Sequence, residues 1–416
     1  MRPVPLPFCV LRPASRGKCT PVASWPEETR RPWITVLMFW LAVMTPAVRT
    51  AAALPGPDKK LIEYGWDVPT PAQMRDELGA MEKRPFEGLI FRLSGGYNAF
   101  VTKPLEPAKF VEDERILRDL RFTRFVDNFA LIWGSPPAGF DWFDEAQWQV
   151  IEANAELLVG VAQAARVRGI CFDPEPYDFS LWDYAKQPKA KDQPFAEYRA
   201  KVRQRGAQLM KAFEKRMPVA TILTFFHVSL YDRFADLPEA ERAQRLGRES
   251  WGLMPDFFVG MLEGANSNAR FIDGNENAYY YTSREQYFRA YHAIRQRALA
   301  LVPPELRNKY ERQVRAGQAL YVDQNFALRQ PKTEQYLSYR MTPEERARWF
   351  EHNTYWALYT TDEYVWCYSE RMNWWKDQTP PGLEAAIINA RQKIAEGKPL
   401  GFDIEPLIEN VRKRQP

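Results

Sequence analysis

Strand-like and helix-like segments alternate eight times between Leu61 and Glu396, and this alternation limits the fold more than any other feature of the chain. The strand-like runs are 61–66, 88–93, 126–133, 169–172, 219–227, 256–262, 318–322 and 364–368, each four to nine residues rich in β-branched and aromatic side chains. Between them lie helical patterns, among them 71–83 with Thr70 as its cap and Pro71 at its first position, 144–166, 194–216 and 343–359 with Thr342 as its cap. A Ser, Thr or Asp at the cap accepts from free N–H groups of the first turn, and proline costs nothing at the first helical position. Strict strand–helix alternation implies a parallel sheet with its helices outside. Eight such units predict a closed (β/α)8 barrel over residues 54–416, as one domain. A doubly wound sheet is the rival, but the first strand ends Gly65-Trp66-Asp67-Val68-Pro69, without the glycine-rich phosphate turn that such folds carry.

Most of the excess positive charge lies in residues 1–53, where seven Lys/Arg stand against Glu27 and Glu28. Arg30 and Arg31 precede an apolar run, 34–44, and small residues ending in Ala51-Ala52-Ala53. That order describes a signal peptide with a long basic leader, cleaved near Ala53, and predicts a secreted or periplasmic protein. The run is too short to favour a membrane-spanning helix. The remaining chain is close to neutral, which gives no electrostatic case for nucleic-acid binding. The body carries Cys171 and Cys367 without a C-x-x-C pair, and only His227, His292 and His352. Neither a metal cluster nor a cofactor is expected, since the P-loop, G-x-S-x-G and H-E-x-x-H motifs are missing from the sequence.

Chemistry in such a barrel sits at the C-terminal ends of the strands. Those ends supply, in order, Trp66 and Asp67, Arg92, Trp133, Asp173 and Glu175, His227, Glu263, Asp323 and Gln324, then Glu370 with Arg371, with Trp374 and Trp375 just beyond. The fourth end is the most distinctive. In Gly169-Ile170-Cys171-Phe172-Asp173-Pro174-Glu175-Pro176-Tyr177 two acids stand two residues apart between prolines. In extended chain they share one side, and the prolines stiffen the exit. Paired carboxylates among flat aromatic faces suit glycosidic cleavage: one acid protonates the leaving oxygen and a second stabilises or attacks the sugar carbon. A polar loop with Asp273, Asn275 and Glu276 offers oxygen ligands and keeps open a metal-assisted hydrolase or lyase. A barrel that binds glycans without cleaving them is the other alternative.

The stretch resembles the fourth-strand signature of (β/α)8 glycoside hydrolases. In family 18 chitinase-type enzymes that strand ends in Asp-x-Glu with aromatic and proline residues after it, as in Asp173-Pro174-Glu175-Pro176-Tyr177. The resemblance implies Glu175 as proton donor and Asp173 as its partner, and Tyr177 beside them is a candidate substrate contact. The earlier acidic positions of that motif fall here on Arg168 and Cys171. The stretch is also similar to the clan A pattern, in which Asn precedes the fourth-strand Glu; here Pro174 does. That clan places its nucleophile late in the barrel, which implies Glu370 as the second carboxylate, although Glu370 follows the eighth predicted strand and not the seventh.

Overall fold

The computed structural model describes residues 59–329 and 336–414; the predicted leader lies outside them. Nine strand segments form one all-parallel sheet: β1 (Lys60–Gly65), β2 (Gly88–Phe91), β3 (Phe129–Trp133), β4 (Gly169–Asp173), β5 (Thr221–Thr224), β6 (Arg270–Asp273), β7 (Val314–Ala316), β8 (Gln318–Tyr321) and β9 (Tyr364–Ser369). Their order is β7-β6-β5-β4-β3-β2-β1-β9-β8. The two edges, β7 and β8, are separated in sequence by Gly317 alone. β7 pairs with β6 and β8 pairs with β9, so one broken strand closes the ring. The sheet is therefore a (β/α)8 barrel whose seventh strand changes partners midway. Gly317 makes the change possible. Its N–H donates to Asp273 O at 2.8 Å, and a Cβ there would stand 2.8 Å from Ile272 Cγ2 and 2.9 Å from Asp273 O.

The sixth strand lies elsewhere than the sequence reading put it. The run 256–262 belongs to the helix Met254–Gly264. A short run apolar on every side cannot be told from a buried helix by periodicity alone. This helix is buried all round because it packs against the helix Phe195–Arg216 almost backbone to backbone. A Cβ on Gly206 would meet Phe257 O at 2.1 Å, and one on Gly260 would meet Arg203 O at 1.9 Å. The true sixth strand is Arg270–Asp273, four residues in a polar stretch. The predicted caps hold: Thr70 and Thr342 both close capping boxes, with Gln73 and Glu345.

Pairing register fixes which side chains enter the barrel. Tyr64 touches Phe225 and Trp366 across the interior, with ring centroids at 5.1 and 6.1 Å, so Ile62 and Tyr64 face inward and Glu63 outward. Ile62 pairs with Gly88, Ile90 with Phe129, and Trp133 with Asp173. The inward face therefore runs through Ile90 toward Arg92 and through Leu131 to Trp133, and Asp173 is the last inward residue of β4. At the opposite, N-terminal end an ion network ties strand starts together. Lys60 bridges Asp127 at 3.3 Å and Glu363 at 3.0 Å, and Arg168 and Arg270 approach Glu363 at 3.7 and 3.5 Å. Cys171 and Cys367 are buried free thiols. Among the described residues no helix is long and apolar enough to cross a membrane.

Candidate active site

β4 delivers its acids as the spacing predicts. Asp173 is fully buried. Its Oδ1 accepts the Glu175 N–H at 2.9 Å, a turn that holds Glu175 over it. The Tyr177 hydroxyl donates to both carboxylates, to Asp173 Oδ2 at 2.9 Å and to Glu175 Oε2 at 2.6 Å. Burial pushes Asp173 well above the usual carboxylate range, and the Glu175 charge pushes the same way; the hydrogen bonds from Glu175 N–H and Tyr177 pull back. Burial likewise raises Glu175, against the hydrogen bond from Tyr177.

A third acid comes from the end of β6. Asn275, in the left-handed region at φ 44°, turns the chain so that Glu276 follows, and the Glu276 N–H donates to Phe225 O at 3.2 Å. Burial raises Glu276 well above its ordinary value, and the charges of Glu175, Asp173 and Glu370, in that order of strength, raise it further. Glu276 therefore stands among the mouth acids. The missing signal was the strand itself: with the sixth strand placed at 256–262, its end pointed to Glu263. Glu263 instead lies on the outer helix Met254–Gly264, 2.8 Å from Arg203, away from the mouth.

The β9 end brings Glu370. Tyr321 donates to its Oε1 at 3.0 Å, Arg371 Nε lies 3.9 Å from Oε2, and the Glu370 N–H donates to Asp323 Oδ2 at 2.8 Å. Asp323 is buried, which pushes it up to about 6, and it acts as a backbone anchor for Glu370. Gln324 accepts from Arg329 at 3.2 Å. Between these acids lies an aromatic floor absent from the sequence expectation. Tyr279 and Tyr368 stack at 5.6 Å and 7°, Tyr321 approaches Tyr279 at 4.7 Å, and Phe225 stacks on Trp366 at 4.4 Å.

Four predicted contacts reach the rim. Trp66 is 53% exposed and lies under Arg371. Arg92 lies over Tyr97, and Trp133 stands between Tyr97 and Tyr177, with ring centroids at 4.7 and 4.8 Å. Four others, Asp67, Trp374, Trp375 and His227, face elsewhere. Asp67 accepts the Trp374 N–H at 2.7 Å and its carbonyl accepts the Trp375 indole N–H at 3.0 Å. Trp374, fully buried, meets Phe86 edge-on at 4.8 Å. This trio pins the loop after β1 to the segment after β9, with the two indoles buried as packing. His227 packs outside the barrel against Phe258 at 4.6 Å; neither ring nitrogen has a partner among the described residues, and burial lowers it to about 3, so it is a neutral core imidazole. Asp273 also faces outward, accepting from Ser229 and from the Asn275 N–H. No group of three His, Cys, Asp or Glu residues suited to a metal occurs among the described residues.

No protein-family model matches the chain, and no curated protein matches it. Among solved structures it is similar to an exo-β-1,4-mannosidase from Opitutaceae bacterium strain TAV5, with 13% identity over 82% of this chain and a TM-score of 0.44; the match spans 62% of that enzyme's length. It is also similar to a glycoside hydrolase family 5 enzyme from Prevotella bryantii B14, with 9% identity over 76% of this chain and 86% of that one, and a TM-score of 0.42. Likeness of this degree leaves the activity to the chemistry of the site.

Proposed function

We propose that the protein is a glycoside hydrolase in which Glu175 is the general acid/base and Glu276 the second carboxylate. One observation carries the reading: Asp173 and Glu175 after β4, Glu276 after β6 and Glu370 after β9 come from distant parts of the chain and all follow strand ends at the same rim of one barrel. Burial raises both Glu175 and Glu276, so the pair keeps a proton toward neutral pH; with that proton on Glu175, the repulsion between the two is relieved and Glu276 carries the negative charge. Glu175 gives its proton to the leaving oxygen as the bond to the sugar carbon breaks, and Glu276 stabilises or attacks the cationic carbon. Water then adds to that carbon, breaking any bond formed to Glu276 and freeing its carboxylate, and the water's proton returns to Glu175. Glu276 is favoured over Glu370 because the Glu370 carboxylate is already engaged, by the Tyr321 hydroxyl at 3.0 Å and by Arg371 at 3.9 Å. Glu370, held by Tyr321 and the Asp323 anchor, is placed as a substrate contact. The Tyr and Trp faces of the floor and rim supply flat apolar surfaces for sugar rings. Export by the leader in residues 1–53 would bring the enzyme to extracellular glycans.

Digestion of a broad glycan panel tests the reading. Wild-type protein releases new reducing ends from at least one member, and Glu175→Gln and Glu276→Gln each lose at least about a hundredfold in rate, whereas Glu370→Gln mainly raises KM. Intact glycans after long incubation with wild type would leave a binding barrel instead.

A further inference from the structure

Arg92 is the inward-facing residue just past the end of β2, two positions beyond the inward Ile90. It is half-buried and its guanidinium makes no hydrogen bond or ion pair with any described residue. Its guanidinium lies over the face of Tyr97, 5.7 Å from the ring centroid. A guanidinium in this position gives up part of its hydration and gains no protein acceptor in return. Its planar fork of N–H donors matches a carboxylate or sulfate. Next along the rim, Arg371 lies over Trp66 at 5.3 Å; its side chain approaches Glu370 only loosely, at 3.9 Å, and its charge also reaches the buried Asp323. β9, β1 and β2 are neighbours in the barrel. Arg371, Trp66, Arg92 and Tyr97 thus form one arc of alternating cations and aromatic plates. Through Trp133 and Tyr177 the arc runs on to Asp173 and Glu175. The plates fit sugar rings, and the cations fit a negative substituent on them.

We infer that the substrate is an acidic glycan, and that Arg92, seconded by Arg371, binds a carboxylate or sulfate on a sugar held at this arc. The inference rests on the proposed glycan reading and deepens it. An anion would otherwise be repelled by the mouth acids, so the cations decide which sugars enter and in which orientation.

The test measures binding where cleavage cannot consume the ligand. The Glu175→Gln protein is titrated by tryptophan fluorescence with uronic-acid oligosaccharides (galacturonate, mannuronate, glucuronate-containing), with sulfated galactan and chondroitin oligosaccharides, and with neutral galacto-, manno- and xylo-oligosaccharides of equal length. At least one acidic set binds about tenfold or more tightly than every neutral set, and its affinity falls with added salt. Adding Arg92→Gln reduces that affinity about tenfold to a hundredfold and erases the preference; Arg92→Lys restores part of it, and melting temperatures stay with the parent. Which acidic set binds separates carboxylate from sulfate. Equal binding of neutral glycans, no acidic set binding, or acidic binding indifferent to Arg92→Gln overturns the inference. Wild-type cleavage of neutral glycans alone would overturn it and keep the hydrolase. Arg92-dependent acidic binding without cleavage by wild type would keep it and remove the hydrolase.

Discussion

Tyr177 has one phenolic hydrogen and two carboxylates within reach of it. A donated hydrogen bond stabilises the ionised form of the acceptor, so Tyr177 holds Asp173 and Glu175 lower than burial alone would leave them. Tyr177→Phe keeps the ring beside Trp133 and removes the donor. Both acids then rise further, Glu175 stays protonated to higher pH, and the alkaline limb of the kcat/KM profile moves upward, with about a tenfold loss in rate from poorer positioning. A pH–rate profile of the variant with its limb unmoved, or moved down, would count against the shared hydrogen bond. At this scale the sequence was informative where the chain is extended: Asp173 and Glu175 share a side because alternate residues must. It was silent for His227, since its aromatic surroundings come from Phe258, Phe271 and Tyr310 on three other segments.

The broken seventh strand decides whether the barrel closes. Gly317 sits where the chain leaves β6 for β9, with the Ile272 side chain and the Asp273 carbonyl both within 3 Å of where a Cβ would stand. Gly317→Val forces its side chain into Ile272 and the Asp273 carbonyl, and is expected to lower stability by about 1–3 kcal/mol. Denaturant unfolding reads this directly; an unchanged midpoint would mean that the seam is slack. The capped helices were legible because capping is local, as Thr70–Gln73 and Thr342–Glu345 demonstrate. Strand six was not. Four residues of β6 carry little pattern, while the buried helix 254–264 is apolar through glycine-mediated contact with its neighbour, a cause that lies in another segment. That one exchange hid Glu276 and promoted Glu263.

The whole molecule divides its labour between the two ends of the barrel. The C-terminal end gathers the acids and aromatic plates, and the N-terminal end gathers the Lys60, Asp127, Arg168, Arg270 and Glu363 ion network. Glu363 is the hub, facing three cations, two of them well exposed, so screening reduces its worth. Glu363→Gln is expected to cost about 1–2 kcal/mol of stability and to leave kcat within about twofold of wild type. Glu175→Gln should do the reverse. A Glu363→Gln protein with normal stability and no activity would mean that the two ends are not separate.

The most direct test of the central claim compares leaving groups. A general acid matters only where the departing oxygen needs a proton. Glu175→Gln should lose at least about a hundredfold in kcat/KM on a natural glycosidic bond yet keep much of its kcat/KM on the matching dinitrophenyl glycoside, whose phenolate departs unprotonated. Equal losses on both substrates, or none on either, would contradict Glu175 as the proton donor.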